Sequence, residues 1–145
     1  MTYATTFACQ IGTTNAQEQI GLEIWLDDLQ IYNNEHIDAV EQFSYAFPDA
    51  EAEHLLRFVV KNKSPHSTKV DADGNIVQDV CAQVTNIVFD EIDVTQVITN
   101  LAEYTHDYNG TNEPTVTKFY GDLGCNGTVE VAFSTPIYLW LLEHM

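Results

Sequence analysis

The run Asp71-Ala72-Asp73-Gly74-Asn75-Ile76-Val77-Gln78-Asp79 is the most specific local pattern in the chain, and the chemistry it suggests is binding of a hard cation. Calcium takes roughly six to eight oxygen ligands, so a site needs several carboxylates at near spacing and a glycine that lets the backbone fold around the ion. Asp71, Asp73, Asn75 and Asp79 supply side-chain oxygens of that kind, and Gly74 supplies the turn. The run lacks the glutamate that completes an EF-hand loop, and no helical pattern flanks it. The competing reading is an Asp-Gly turn that launches the next strand. Asp90, Glu91 and Asp93 form a second acidic group, which reads as the wet end of a strand.

Aromatic residues left outside the apolar pattern are the other candidates. Trp25 falls on the polar face of an alternating segment, where an indole serves as a stacking platform for a sugar ring or as an anchor in a protein interface. Tyr104 and Tyr108 belong to a long aromatic and polar stretch and suit the same stacking role. Tyr138, Trp140 and Leu142 lie in a terminal segment that is apolar on every side, which marks protein contact.

Catalytic patterns are sparse: there is no GxSxG, HExxH, phosphate loop or telling Cys/His spacing. His106-Asp107 offers an oriented imidazole, and a pair of glycosidase carboxylates depends on the fold rather than on spacing. The expectation is a protein that is not an enzyme. Cys9, Cys81 and Cys125 are odd in number and lack CxxC spacing, so they read as free buried thiols rather than as a disulfide framework or zinc site. Asn109-Gly110-Thr111 and Asn126-Gly127-Thr128 match the N-glycosylation acceptor but read more simply as turns.

The elements that must position these residues are strands. In 54–61 a period of two puts Leu56, Phe58 and Val60 on one face and Arg57 and Lys61 on the other. The segment 80–89 begins with Val80, Ala82 and Val84 inward, then slips phase so that Ile87 and Phe89 take over, which predicts a bulge near Thr85 and Asn86. Thr5, Phe7 and Cys9 are in register in a first strand that starts at Tyr3. Leu22, Ile24 and Leu26 oppose Glu23, Trp25 and Asp27 in a second, which turns at Asp27-Asp28 into Leu29–Tyr32. Further strands are expected over 37–47, with Ala39, Phe43, Tyr45 and Phe47 on one side, over 115–120, and over 128–133, the last entered through an Asn126-Gly127 hairpin turn of type I′. Residues 95–103 fit a short strand or a helical turn. Residues 137–142 fit a central strand, a strand added to a partner's sheet, or a short helix capping the core. About nine to eleven short strands at turn spacings near ten residues define an all-β fold, an antiparallel β-sandwich or jelly roll, in one domain spanning 1–145.

Composition narrows the partners. A chain of 145 residues with a net charge of −17 and only five cations has little to offer nucleic-acid phosphate, and anionic membranes are disfavoured for the same reason. Four of the five cations, Arg57, Lys61, Lys63 and Lys69, crowd into 57–69, which reads as a solvated loop offsetting nearby acids or as an anionic-ligand site. The start of the chain carries no basic, apolar signal-peptide pattern.

Two resemblances add to this. The order Leu22-Glu23-Ile24-Trp25-Leu26-Asp27, His54-Leu55-Leu56-Arg57-Phe58-Val59-Val60 and Val84-Thr85-Asn86-Ile87-Val88-Phe89-Asp90-Glu91-Ile92 resembles small calcium-dependent, xylan-binding carbohydrate-binding modules over residues 20–94. That likeness implies Ca2+ and surface glycans as partners, and an extracellular setting. The run Lys118-Phe119-Tyr120-Gly121-Asp122-Leu123-Gly124-Cys125-Asn126-Gly127-Thr128-Val129, with Thr135-Pro136-Ile137-Tyr138-Leu139-Trp140-Leu141-Leu142-Glu143, is similar to small acidic proteins of tailed phages of marine cyanobacteria. It implies a virion component, made in the host cytoplasm and oligomeric with other virion or assembly proteins as a decoration, fibre-associated or tail protein. The leading expectation is this non-catalytic virion role, and the alternative is the Ca2+-dependent glycan module.

Overall fold

The computed structural model describes residues 4–63, 69–70, 72–73, 76–78, 80–106, 115–124 and 126–144. Alternation of β-branched and aromatic residues with polar ones gives the strands β1 (Ala4–Thr13), β2 (Gly21–Leu26), β3 (Leu29–Asn34), β4 (Glu41–Pro48), β5 (Ala52–Lys61), β6 (Lys69–Val70) and β7 (Ile76–Gln78). They continue with β8 (Ala82–Phe89), β9 (Ile92–Asp93), β10 (Glu103–His106), β11 (Thr115–Lys118), β12 (Asp122–Leu123) and β13 (Gly127–Thr135), with helices α1 (Thr95–Leu101) and α2 (Ile137–His144). One sheet runs β12-β8-β1-β4 with β9 on β8. The other runs β11-β10-β13-β5-β2-β3, and β6 and β7 form a hairpin of their own. Every pairing is antiparallel, and the two main sheets make a β-sandwich as expected.

Phenylalanines fill the space between the layers. Phe7 of β1 lies 6.3 Å from Phe58 of β5, and Phe89 of β8 lies 5.1 Å from Phe133 of β13. Leu22, Ile24, Phe58, Val84, Ile87 and Phe89 are wholly buried, so the predicted inward faces of β2, β5 and β8 hold. Burying each large apolar side chain contributes about 1.5–3 kcal/mol. The predicted phase slip in β8 also holds. Between Ala8 and Gln10 the partner strand advances from Val88 to Thr85, one residue too many, and Asn86 takes a φ of 51° in the loop so made.

Other expectations need correction. The strand predicted from residue 37 begins only at Glu41: Ile37 is buried in the core from the loop before it, tied through its N–H to the Ile20 carbonyl, while Ala39 is exposed. Asn126-Gly127 is not a hairpin turn, because the chain crosses from β11 to β12 in the opposite sheet before returning to β13. Among the described residues of this segment, left-handed backbone occurs at Gly121, with φ 100°.

Both ambiguous segments are helical. In α1, Val97 and Ile98 turn inward, and the first turn is pinned by Asp93 Oδ1 accepting from Thr95 N at 2.9 Å. In α2, Ile137, Trp140 and Leu141 recur at helical spacing and close one end of the sandwich, while Asp49 Oδ1 accepts from Ile137 N at 3.0 Å. A strand offered to a partner's sheet is therefore excluded for 137–142: its backbone hydrogen bonds are local.

Candidate functional site: the outer face of the six-stranded sheet

Cross-strand register builds a polar row over the solvent face of the larger sheet. Gln30 pairs with Trp25, Trp25 with Arg57, Arg57 with Glu130, Glu130 with Glu103, and Glu103 with Lys118. Trp25 is half-buried at one end of this row. Its indole Nε1–H donates to Glu23 Oε1 at 2.8 Å, and Gln30 Nε2 donates to the same oxygen at 2.8 Å. The Arg57 guanidinium lies 5.7 Å from the indole centroid, a cation–π distance, and Nη2 donates to the Asp27 carbonyl at 3.0 Å. Arg57 Nε is buried without a hydrogen-bond partner among the described residues.

Lys61 joins the same cluster through Glu23 at 3.1 Å, Glu35 at 2.8 Å and Asn33. Burial pushes the Glu23 carboxyl up, but hydrogen bonds from Trp25, Lys61 and Gln30 outweigh it and the net movement is downward. Hydrogen bonds from Lys61, Asn62 and Asn33 hold Glu35 down at about 2. Of the cations that crowd in the sequence, Arg57, Lys61 and Lys63 are engaged by the protein itself. Lys63 is buried, its ammonium on the Gly124 carbonyl and its N–H on Asn126 Oδ1 at 3.0 Å. The solvated-loop alternative does not fit Lys63, and Arg57 and Lys61 are bound to neighbours rather than presented to an anion.

Beside Trp25, the β2–β3 turn borders an open hollow of about 490 Å³ lined by Asp27, His54, Ser134 and Trp140 among others. His54 Nδ1 donates to Asp27 Oδ2 at 2.8 Å, and His54 Nε2 lies 3.2 Å from Thr135 Oγ1. Asp27 Oδ1 also accepts from Leu55 N at 2.9 Å. Burial raises the Asp27 carboxyl, and the bonds from His54 and Leu55 lower it further than burial raises it. The sequence Asp–His–Thr has the distances of a nucleophile relay, but Thr135 is only 4% exposed and its hydroxyl donates to the Ala50 carbonyl. The imidazole, stacked on Phe133 at 5.1 Å, is a strut joining β2, β5 and β13. Sequence reading missed it: His54 shares the inward parity of Leu56 and Phe58, but its partner is chosen by the β2–β5 register.

A pH dependence follows. Asp27 is depressed in the folded state, so the stability it confers is fully present above its ordinary value of 3.8 and is lost as pH falls through the depressed value. Thermal melts taken downward from pH 6 should fall most steeply below about pH 4, and Asp27→Asn should flatten that limb.

The remaining predicted residues scatter. Tyr104 is buried at 5% exposure with its ring 4.6 Å from His106, so it is core and presents no face to a ligand. Trp140 is also buried at 5%, against Phe89 and Phe133, whereas Tyr138 and Leu142 are exposed on α2. Tyr108, like Asp107 beside His106, lies outside the described residues. So do Asp71, Asn75 and Asp79; Asp73 occupies an exposed turn between β6 and β7. Among the described residues no group of three or more His, Cys, Asp or Glu is placed to hold a metal. Cys9 is a free thiol, which burial pushes up to about 12; Cys81 is half-buried, and Cys125 lies outside the described residues.

The fold defines a two-layer antiparallel β-sandwich whose larger sheet carries an aromatic and polar outer face. Two solved structures are similar to this chain in fold. A selenomethionine form of vCBM60, described as linking two families of calcium-dependent carbohydrate-binding modules by circular permutation, matches with a TM-score of 0.53 and 14% identity over 88% of this chain and 89% of that one. vCBM60 in complex with galactobiose matches with a TM-score of 0.50 and 16% identity over 87% and 96%. No protein-family profile matches the sequence, and no curated protein matches it.

Proposed function

We propose that the chain is a non-catalytic carbohydrate-binding module whose ligand crosses the outer face of the six-stranded sheet at Trp25. The observation that carries this reading is the fixed indole. An amphipathic ring is anchored by Glu23 and flanked by Gln30 and Arg57, so apolar surface and planar hydrogen-bonding groups lie side by side, as a sugar's C–H face and hydroxyls require. The two structural neighbours, both named for carbohydrate binding, support it over a place in a phage particle, which draws on sequence resemblance alone. Glu23, Glu103 and Glu130, on a chain of net charge −17, favour a neutral glycan over a uronate or sulfated one. The ion proposed with it is Ca2+, with Asp71, Asp73, Asn75 and Asp79 as donors.

Calorimetric titration with neutral oligosaccharides, at a temperature where both proteins are fully folded, should give binding that Trp25→Ala weakens at least tenfold, about 1.4 kcal/mol. Undiminished binding by that variant overturns the assignment. In parallel, Ca2+ at about 100 times its Kd should add about 2.7 kcal/mol over EDTA-treated protein, and an unmoved midpoint removes the ion from the reading.

A further inference from the structure

The outward side of α2 is the largest run of uncovered apolar side chains on one described element. Tyr138, Leu139 and Leu142 are 51, 61 and 79% exposed, and their spacing places them together on the side opposite the buried Ile137, Trp140 and Leu141. Leu139 continues into an open hollow of about 660 Å³, floored by Pro136 and Trp140 and bordered by Glu51, Glu53 and Glu143, with no Lys or Arg in its lining. Apolar centres with a polar rim are the anatomy of protein interfaces.

Charge decides the occupant. A second copy would bring −17 against −17, and an anionic membrane would be repelled too. We propose that α2 and this hollow dock a protein segment of opposite chemistry, in which apolar side chains seat on Tyr138, Leu139 and Leu142 while lysines or arginines reach Glu51, Glu53 and Glu143. This surface does not include Trp25, although its hollow shares Glu53, Ser134 and Trp140 with the hollow at Asp27, so one chain joins a glycan at the sheet face to a basic, apolar protein at α2.

The test uses synthetic helical peptides of equal length built from Leu and Lys, Leu and Glu, or Ser and Lys, with fluorescence anisotropy read at about 0.15 M salt. The Leu/Lys peptide should bind, and Leu139→Ser with Leu142→Ser should weaken it at least tenfold. A Glu51→Gln, Glu53→Gln, Glu143→Gln variant should weaken it and reduce its salt dependence, while Trp25→Ala leaves it unchanged. All these positions are exposed or peripheral, and Tyr138→Ser serves as an independent variant if the double one melts early. Equal binding of the Ser/Lys peptide, indifference to the α2 variants, binding to phosphatidylcholine vesicles, or a stable dimer of the free chain each overturns the proposal.

Discussion

Phe133→Ala should remove about 3–5 kcal/mol of folding stability, read as a lower urea midpoint at unchanged slope. Phe133 is 3% exposed and sits where the two sheets and α2 converge. Its ring lies 5.1 Å from both His54 and Phe89, 5.9 Å from Phe47 and 6.1 Å from Trp140. Three of these neighbours are themselves held: His54 by Asp27, Phe89 by its place in the β8 ladder, and Trp140 by the helix. None can move in without breaking its own contacts, so the cavity stays and the cost lies at the upper end for a buried ring. Tyr138→Ala on the same helix, facing outward, should change stability by no more than about 0.5 kcal/mol. A Phe133→Ala effect as small as that would mean the end of the sandwich is packed differently.

The contrast between these two positions also marks how far sequence carries. Inward faces of β2, β5 and β8 were legible because one layer of a sandwich enforces a period of two, and even the bulge at Asn86 left its trace as a slipped phase. Trp25 was legible as an outlier on a polar face for the same reason. The end of the chain was not, because 137–142 is apolar at every position and no period separates strand from helix; Trp140 and Leu142 look alike until the packing direction is known. Tyr104 misled in a related way: next to polar Thr105 and His106 it reads as loop, but β10 turns it and His106 into the core. The site's neighbours were hidden by distance along the chain. Trp25, Arg57 and Glu130 become one row only through the register of β2 on β5 and β5 on β13, and Arg57, Lys61 and Lys63 are divided among partners at residues 23–35 and 124–126.

Gly127→Ala should be among the most damaging one-carbon changes available to the protein, with a loss of about 2–4 kcal/mol in the same urea assay. Sequence reading assigned this glycine to a turn needing positive φ, but its role is close approach. Gly127 pairs with His106 on one side and Val60 on the other, and a Cβ here would lie 2.3 Å from the Thr105 carbonyl oxygen and 2.8 Å from His106 Cβ. The obstruction is backbone and a β-carbon, neither of which swings aside, so β10 must separate from β13. That separation strains the ladder from Glu103 to His106, together with the β11 strand that pairs only through β10. Gly12→Ala is the matched control, since the nearest atoms to its added carbon are side-chain atoms of Val40 and Gln83 at 3.6 and 3.7 Å, ordinary contact distances. It should be neutral or slightly stabilising, because alanine loses less backbone entropy on folding. The two variants differ by the same single methyl from the same parent, so equal midpoints for both would show that β10 does not press against β13 at this point, and the polar row through Glu103 and Glu130 would lose its fixed spacing.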